Sequence, residues 1–390
     1  MKVMKKIGLP LVFVFVVVII TGFIQSAYYS PVESSDNVST HYNTEQKPML
    51  ILAGIDSLTN GPIYHKEKSR YLDDFIPRMH KYFGDGGPGY VPFDSIYFKQ
   101  EHGEFHFSNG MKQINDLPPG QYPSQYSLDL KGMYTTGGWL NWMTVKFPKK
   151  WHWTYGKIFY LKQPHGGHFN VGYKQSDKAL SVNTNSPKLG LGVIHLPKNI
   201  YNGQLEFSHI NGKVAIFGGE FLNKKGVAVS RIGQGGDRLA WHALIDNRMM
   251  DEWLKQLDPE LLMLNAGMND RRFLSADRYR KDLTNYLDPY IKEKTEILLI
   301  GPNAILGDNT RLDQYRKVLR QYADQHHTGY ISNQSALGYS YLEAQSKNLM
   351  GDRIHPNALG SKIISKHLFN YLMSNNQFAS LFNNKDSQTR

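Results

Sequence analysis

Short apolar runs recur at both ends of this chain, and they limit its fold more than any other feature. These runs lie at Met49–Ala53, Val227–Ser230, Leu261–Leu264, Ile297–Ile300 and Tyr330–Ser332. A continuous apolar run of this length is typical of a strand that is buried on both faces of a parallel sheet. Residues with helical spacing lie between the runs, at Tyr71–Phe83, Leu239–Leu254, Arg311–His326 and Gly360–Met373. Strands that alternate with helices predict a three-layer α/β/α domain around a parallel sheet.

The middle of the chain follows a different pattern. It opens with a glycine-rich loop at Gly84–Gly89 and continues with short alternating runs, among them Trp142–Phe147, Lys157–Leu161 and Lys213–Phe217. Alternating runs that are separated by turn residues predict a β-sandwich or a jelly roll. The simplest organisation is therefore one α/β domain that is interrupted by a β insertion.

This organisation sets the predicted domain boundaries. Residues 48–92 and 226–374 are expected to form the discontinuous α/β domain, and residues 93–225 the inserted β-sandwich. The polar stretch 28–47 is predicted to be a linker. The polar stretch 375–390 is predicted to be a flexible tail.

The N-terminus indicates a membrane segment. Lys2, Lys5 and Lys6 precede an apolar run, Ile7–Ile24, that is long enough to span a bilayer. Positive charges on the short N-terminal side keep that end cytoplasmic. We therefore predict a signal-anchor over residues 1–27, with the remainder of the chain on the extracytoplasmic side of a cell membrane. The alternative is cleavage after Ala27 and secretion, which the large residue three positions before the cut disfavours.

Composition excludes several kinds of chemistry. The chain has no cysteine, so disulfides, thiol nucleophiles and cysteine-based metal sites are excluded. His165 and His168 have no third ligand at suitable spacing, and we predict neither a metal nor a cofactor. The formal net charge of +11 suits an anionic lipid or envelope polymer. Basic runs interleaved with aromatic residues are lacking, so no nucleic-acid partner is predicted.

Polar residues follow the predicted strands at their carboxyl ends, where open parallel sheets form their sites. Ser57 follows the first strand in Gly-Ile-Asp-Ser, Gly236 lies in the turn after the second, and Asn269 comes after the third. Asp352 and His355 precede the last helix. A hydrolase that uses a serine nucleophile needs this combination of serine, histidine and aspartate.

Each of these residues also has a purely structural interpretation. Ser57 is of the type that caps a helix N-terminus. Gly236 is suited to a tight turn, and Asn269 to a capping position. His355 precedes a proline of the kind that begins helices. The functional interpretation rests on their joint order along the chain.

The order of these residues resembles that of the SGNH, or GDSL-type, hydrolase family. Its sequence blocks are matched by Gly54–Ser57, by Gly236-Asp237, by Gly267–Asp270 and by Asp352–Pro356. The first block departs from the family pattern because Ile55 separates the glycine from Asp-Ser. The resemblance covers residues 48 to about 90 and 226 to about 373, on both sides of the predicted insertion.

The resemblance implies a role for each residue. Ser57 would be the nucleophile, His355 the general base and later the acid, and Asp352 the group that orients the imidazole. The backbone N–H groups of Ser57 and Gly236, with the side-chain amide of Asn269, would form the oxyanion hole.

The insertion points to the substrate. Long β insertions resemble those of esterases that act on bacterial cell-surface glycans, such as peptidoglycan O-acetylesterases, and the glycine-rich Phe83–Tyr90 loop is similar to the one in that subset. Trp139, Trp142, Trp151 and Trp153 are candidate sugar contacts, the alternative being that they fill the core of the sandwich.

We therefore expect a serine esterase that removes O-acetyl groups from a cell-envelope polysaccharide. The same residue types also suit an O-acetyltransferase that acts on such a glycan. A lipase or thioesterase would need an apolar cleft, and long apolar loops near the motifs are not evident. An alternative of another class is a non-catalytic glycan-binding or envelope-assembly protein, which would tolerate the loss of Ser57 or His355.

Overall fold

The computed structural model describes residues 47–61, 70–94, 96–138, 140–174, 179–196 and 203–386. The predicted signal-anchor at 1–27 and nearly all of the predicted linker lie outside the described residues. Within the described ranges, no helix is both long enough and apolar enough to cross a membrane.

Helices and strands are distributed unevenly along the chain. The helices are α1 (Ser57–Asn60), α2 (Leu72–Phe83), α3 (Ile96–Gln100), α4 (Leu239–His242), α5 (Asn247–Leu257), α6 (Ala276–Lys292), α7 (Thr310–His326), α8 (Asn333–Leu337), α9 (Tyr341–Ser346), α10 (Ala358–Ser374) and α11 (Asn376–Asp386). The strands are β1 (Met49–Ile55), β2 (Gly89–Val91), β3 (Glu104–Phe107), β4 (Lys112–Gln113), β5 (Met133–Thr135), β6 (Asn141–Lys146), β7 (Tyr155–Lys162), β8 (His168–Tyr173), β9 (Leu180–Asn183), β10 (Gly190–His195), β11 (Gln204–Asn211), β12 (Val214–Leu222), β13 (Val227–Arg231), β14 (Leu261–Asn265), β15 (Glu296–Gly301) and β16 (Gly329–Ser332).

The predicted α/β unit is built on a five-stranded sheet in the order β13-β1-β14-β15-β16. All of its strand pairs are parallel. Residues of β1 alternate between two apolar clusters, with Leu50 and Leu52 on one face and Met49 and Ile51 on the other. Because side chains of a strand point alternately to the two faces, helices cover both sides. The predicted α/β fold with a parallel sheet is confirmed.

Different helices cover the two faces. The cluster that contains Leu52 also contains Leu254 of α5 and Leu287 of α6. The cluster that contains Ile51 also contains Phe75 of α2 and Leu368 of α10. Each helix therefore buries one apolar stripe against the sheet, as expected for an amphipathic surface helix.

The middle of the chain forms two antiparallel sheets. One has the order β10-β7-β12-β5-β4, with β2 also pairing with β12, and the other has the order β3-β6-β11-β8-β9. Their facing sides share one apolar cluster, which includes Val145 of β6 and Ile158 of β7. The strand β2 joins the first of these sheets although it precedes residue 93. The limits of the inserted domain at residues 93 and 225 stay a prediction.

The first antiparallel sheet also packs against the α/β unit through its other face. The ring of Trp253 on α5 lies 4.8 Å from the ring of Phe159 and 5.6 Å from the ring of Phe217, measured between ring centroids. These side chains belong to the cluster that covers one face of the parallel sheet. The inserted strands therefore contribute side chains to the apolar core that covers one face of the parallel sheet.

Two local expectations were wrong. The segment Leu239–Leu254 was expected to be one helix, but it forms α4 and α5, because the Asp246 side chain accepts a hydrogen bond from Met249 N–H and begins a new helix. Residues 376–386 of the tail form α11 instead of a flexible segment. Its Phe378 and Phe382 lie four residues apart on one helix face, and both are buried.

Candidate active site

Ser57 is the first residue of the short helix α1, directly after strand β1. The helix is capped by Asp56, whose Oδ1 accepts a hydrogen bond of 2.9 Å from Leu58 N–H. The N-cap interpretation of Ser57 is therefore wrong, because its neighbour takes that role. Gly54 is required for close packing, since a Cβ there would lie 2.5 Å from Ile232 Cγ1. The glycine of the first block thus has a packing function despite the intervening Ile55.

Three predicted residues meet at this point. The hydroxyl oxygen of Ser57 lies 2.8 Å from His355 Nε2. On the other side of the imidazole, Nδ1 lies 2.8 Å from Oδ2 of Asp352. A serine hydroxyl, an imidazole and a carboxylate in this sequence of contacts have the geometry of a Ser-His-Asp triad.

The Asp352 carboxylate is fixed in place by its own loop. Its Oδ1 accepts hydrogen bonds of 2.7 Å from the N–H groups of Ile354 and His355. Partial burial raises the pKa of Asp352, but the hydrogen bonds from His355 and Ile354 outweigh burial and hold this pKa at about 2. The carboxylate is therefore ionised at neutral pH and accepts a hydrogen bond from the Nδ1–H group of the imidazole.

Contacts from the neighbouring strand hold the same loop. Asn303, which follows β15, donates from Nδ2 to Ile354 O at 2.9 Å. Leu306 N–H donates to Arg353 O, also at 2.9 Å. Asn303 was not among the residues predicted from the sequence, where its signal is its position after a buried strand and a Gly-Pro pair.

Gly236 lies in the turn after β13 with a φ of 96°, a conformation that favours glycine. A Cβ at this position would meet no atom within 4 Å, so the turn needs glycine for its backbone conformation and not for packing space. The backbone N–H groups of Ser57 and Gly236 donate to no acceptor among the described residues. Both groups can therefore donate to a bound substrate.

Asn269 is linked to the same turn. Its Nδ2 donates a hydrogen bond of 2.9 Å to the carbonyl oxygen of Asp237, the residue after Gly236. An amide nitrogen carries two hydrogens, so one remains to donate elsewhere. The structure thus brings Ser57, His355 and Asp352 into direct contact and ties Asn269 to the turn that carries Gly236.

Further hydrogen bonds that were not predicted from the sequence hold this turn in place. Oδ2 of Asp237 lies 3.0 Å from Nε2 of His242 and accepts a 3.0 Å hydrogen bond from Gln234 N–H. The Asp270 carboxylate accepts from the N–H groups of Leu239 and Ala240, at 3.1 and 3.2 Å, where α4 begins. The available signal for Asp270 was its position beside Asn269 in the third block.

Asp56 is a buried acid beside the nucleophile. Burial, with a smaller contribution from the nearby carboxylates of Asp270 and Asp237, raises the pKa of Asp56 to about 8. The hydrogen bond from Leu58 N–H opposes the increase. Asp56 is therefore largely protonated at neutral pH, so the carboxyl group adjoining Ser57 carries little negative charge there.

The candidate tryptophans differ in environment. Trp142 is 44% exposed on β6. The ring of Trp153 packs 4.6 Å from Phe147 and 5.2 Å from Phe221, so it belongs to the sandwich core. Trp151 lines a cavity of about 270 Å³. Trp139 lies outside the described residues. Across the described ranges, no group of three or more acidic or histidine side chains is arranged to hold a metal ion.

Comparison with known proteins gives the class. Residues 214–363 match the model of the GDSL-like Lipase/Acylhydrolase family. This range contains Gly236, Asn269, Asp352 and His355, whereas Ser57 lies before it. The chain therefore carries a GDSL-like lipase/acylhydrolase domain over these residues, and the predicted resemblance to SGNH-type hydrolases and the predicted enzyme class are confirmed.

One solved structure shares the fold over most of this chain, and others match a smaller part of it. A peptidoglycan O-acetylesterase matches with a TM-score of 0.65 and 18% sequence identity, over 84% of this chain and 91% of that chain. The acetyl xylan esterase AlAXEase matches at 21% identity with a TM-score of 0.33, over 37% of this chain and 80% of its own. The acetylxylan esterase Axe2 from Geobacillus stearothermophilus matches at 20% identity with a TM-score of 0.31, over 37% and 72%. No curated protein sequence matches the chain.

Proposed function

We propose that this protein is a serine esterase that removes O-acetyl groups from a cell-envelope polysaccharide. The observation that carries the proposal is the relay from Ser57 Oγ through the His355 imidazole to Asp352, with 2.8 Å at each contact. Both distances are within the range over which a base takes a proton from a nucleophile and a carboxylate orients that base.

The first half-reaction acylates the enzyme. Ser57 Oγ attacks the acetyl carbonyl carbon while His355 Nε2 takes the hydroxyl proton. The N–H groups of Ser57 and Gly236 and the Asn269 amide stabilise the negative charge on the carbonyl oxygen. The tetrahedral intermediate then collapses, the sugar oxygen leaves with the proton from His355, and acetyl-Ser57 remains.

The second half-reaction regenerates the serine. His355 takes a proton from water, and the resulting hydroxide attacks the acetyl carbonyl of acetyl-Ser57. Collapse releases acetate and returns the proton to Ser57 Oγ. Throughout both steps the ionised Asp352 stabilises the imidazolium without itself taking the proton.

Several features of the chain support the proposed substrate and location. The acetyl ester is suggested by the fold shared with a peptidoglycan O-acetylesterase. The +11 net charge favours an anionic envelope polymer. The lysines before the apolar run Ile7–Ile24 support a single-pass anchor with the catalytic domain outside the membrane.

Acetate release tests this function. The purified protein without residues 1–27 is incubated with an O-acetylated envelope polysaccharide and with a small aryl acetate, and free acetate is measured. We expect acetate from both substrates and a loss of both activities in Ser57→Ala. Acetate release that persists in Ser57→Ala would refute the mechanism.

Acceptor competition separates hydrolysis from transfer. The same reaction is repeated with an excess of a de-O-acetylated polysaccharide, and the acetyl content of that polymer is measured. We expect acetate to be the main product because water completes the reaction. Acetylated polymer as the main product would instead identify an O-acetyltransferase.

A further inference from the structure

Arginines recur in the three loop segments that carry Gly236, Asn269 and His355. Each of these arginines lies within three residues of a residue that we assign to the oxyanion hole or the triad, and each is half-buried or exposed. They are Arg238, Arg271, Arg272 and Arg353. The carboxyl edge of the sheet, where Ser57 lies, is therefore bordered by positive charge.

The acidic residues of the same segments do not cancel this charge at the surface. Asp237 and Asp270 are buried, at 4% and 0% exposure. Asp352 is engaged in the triad, where its carboxylate contacts the imidazole. The exposed Asp308, in the neighbouring loop, accepts a hydrogen bond from the first residue of α7. The accessible charge of the three segments is thus positive overall and suits an anionic substrate.

Two aromatic rings restrict the Arg238 guanidinium. Its Cζ lies 3.5 Å from the ring centroid of Phe273 and 4.7 Å from that of Trp241. A guanidinium that stacks on an aromatic face uses its π surface and keeps its N–H groups available at the edge. Phe273 is 59% exposed, so the stacked pair lies at the protein surface.

The donors of Arg238 are open. Its side chain forms no hydrogen bond and no ion pair within the described part of the chain, and its nitrogen atoms are not enclosed. The Asp270 carboxylate interacts with Arg238 electrostatically, but its oxygens accept hydrogen bonds from the first N–H groups of α4. By contrast, the Arg271 guanidinium donates to Met268 O. Arg238 therefore offers a planar set of N–H groups that matches the paired oxygens of a carboxylate or a phosphate.

Arg238 is close to the proposed oxyanion hole. It follows Gly236 by two residues, so their Cα atoms are at most about 7.6 Å apart. Asn269 Nδ2 donates to the carbonyl oxygen of Asp237, the residue between them. Phe273, on which the guanidinium stacks, belongs to the Asn269 segment. An anion at Arg238 would therefore belong to the same part of a substrate as the ester.

We propose that Arg238 binds an anionic group of the substrate, a carboxylate or a phosphate, that lies close to the acetyl ester. The other arginines of the three segments attract the same polymer without fixing its position. This assignment rests on the proposed function, because it takes the reaction at Ser57 to be ester hydrolysis. It makes Arg238 a specificity-determining residue, since the anion takes no part in the transfer of the acetyl group.

Acetate release from matched polymers tests the assignment. The full-length protein is assayed with an O-acetylated polyuronate and with the same polymer after its carboxylates have been converted to amides. We expect kcat/KM to be about tenfold higher on the carboxylate form, because a hydrogen bond to a charged group is lost on the amide form. The difference should be mainly in KM, since the anion is not among the reacting atoms.

Substitutions of Arg238 should reduce this preference. Arg238→Gln should bring the kcat/KM values of the two polymers within about threefold of each other. Arg238→Lys should keep part of the preference, because an ammonium retains the charge but not the planar fork. Arg248→Gln is the matched control: Arg248 is exposed on α5, and this variant should keep the full preference. Thermal unfolding checks that each variant is folded.

An O-acetylated polyol phosphate distinguishes the two anions. The charged polymer with the higher kcat/KM, whose advantage Arg238→Gln removes, identifies the group that is bound. Equal kcat/KM of the wild type on all three polymers, or a folded Arg238→Gln protein that keeps the preference, would overturn the assignment. If Arg238→Gln does not fold, Arg238→Lys decides, and retention of the full preference by that variant would count against the assignment.

An uncharged aryl acetate separates this inference from the proposed function. If the wild type releases acetate from the aryl ester but does not distinguish the polymers, the anion site alone is refuted. If it releases no acetate from any of these esters, the esterase function is refuted.

Discussion

Ser57 and His355 are 298 positions apart in the chain, yet the serine Oγ lies 2.8 Å from the histidine Nε2. The contact forms because Ser57 follows β1 at the carboxyl edge of the parallel sheet, and the loop before α10 places His355 at the same edge. The Asp352 carboxylate on the far side of the imidazole completes the arrangement. If these three residues form a catalytic triad, substitutions at this site should have the following effects.

Ser57→Ala should reduce kcat on an aryl acetate by a factor on the order of 10³ or more, because the nucleophile is lost. A fluorophosphonate probe should label the wild-type serine, and mass spectrometry of the labelled peptide checks this. Ser335 is the matched control: its Oγ lies 2.8 Å from His367 Nε2, but among the described residues no carboxylate contacts that histidine. Labelling of Ser335 in place of Ser57 would contradict the assignment.

Asp352→Asn should reduce kcat by roughly 10³- to 10⁴-fold, because an amide does not stabilise the imidazolium and favours the wrong tautomer. KM should change little, since the carboxylate is not expected to contact the substrate. Steady-state kinetics with an aryl acetate measures both constants. Asp308→Asn, on an exposed loop, serves as the control and should leave kcat unchanged. A similar kcat in Asp352→Asn and the wild type would exclude the triad.

Gly236→Ala should reduce kcat by roughly 10²-fold, because the substitution disfavours the φ of 96° and displaces an oxyanion donor. Space is not the cause, since a Cβ there meets no atom within 4 Å. Gly137→Ala is matched, because its Cβ is equally unobstructed and its φ is not in the left-handed region. Kinetics and thermal unfolding of both variants distinguish the loss of a donor from general destabilisation. Equal kcat in the two variants would argue against this use of Gly236.

Asp56 should make the folded protein less stable as the pH rises. Its folded pKa of about 8 is above its unfolded pKa of about 3.9, so its stabilising effect is complete below about pH 4 and is lost by about pH 8. Asp56→Asn keeps an oxygen acceptor for Leu58 N–H and removes the titration. The free energy of unfolding, measured in urea between about pH 5 and about pH 9, should fall less steeply in the variant. Parallel curves for the two proteins would show that Asp56 does not titrate in this range.

Substitution of an exposed tryptophan should affect glycan binding, whereas substitution of a packed tryptophan should affect stability. Trp142→Ala should weaken binding of an envelope polysaccharide and leave the melting temperature close to that of the wild type, because the ring is 44% exposed. Trp153→Ala should lower stability by about 3 kcal/mol, since its ring packs against Phe147 and Phe221. Calorimetry and thermal unfolding measure the two effects. Unchanged polysaccharide binding in Trp142→Ala would remove this residue from the candidate contacts.

The parallel sheet could be predicted because a strand that is buried on both faces has a short continuous apolar run in the sequence. Each predicted apolar run, from Met49–Ala53 to Tyr330–Ser332, lies in a strand of the parallel sheet. Helix α6 was missed, although Tyr279, Leu283 and Tyr286 follow helical spacing and are buried. Aromatic and charged residues are mixed along this segment, so its apolar stripe becomes clear only against the neighbouring helices.

The tail was mispredicted for a related reason. Its composition is polar, but Phe382 of α11 stacks on Phe83 of α2 with ring centroids 4.9 Å apart. Two buried rings are enough to anchor a short helix when the rest of the molecule supplies an apolar surface. Composition averages over all residues and therefore hides such a stripe.

The sequence by itself determined the elements and the candidate chemistry of the site. Strand and helix periodicity report which side chains are buried, and the order of Ser57, Gly236, Asn269, Asp352 and His355 indicates a hydrolase. Only the tertiary structure decided that Asp56 caps the first helix and has a raised pKa, and that Asn303 holds the loop that carries Asp352. These properties depend on groups far apart in the chain, because desolvation and hydrogen bonding are set by whatever packing brings within a few ångströms.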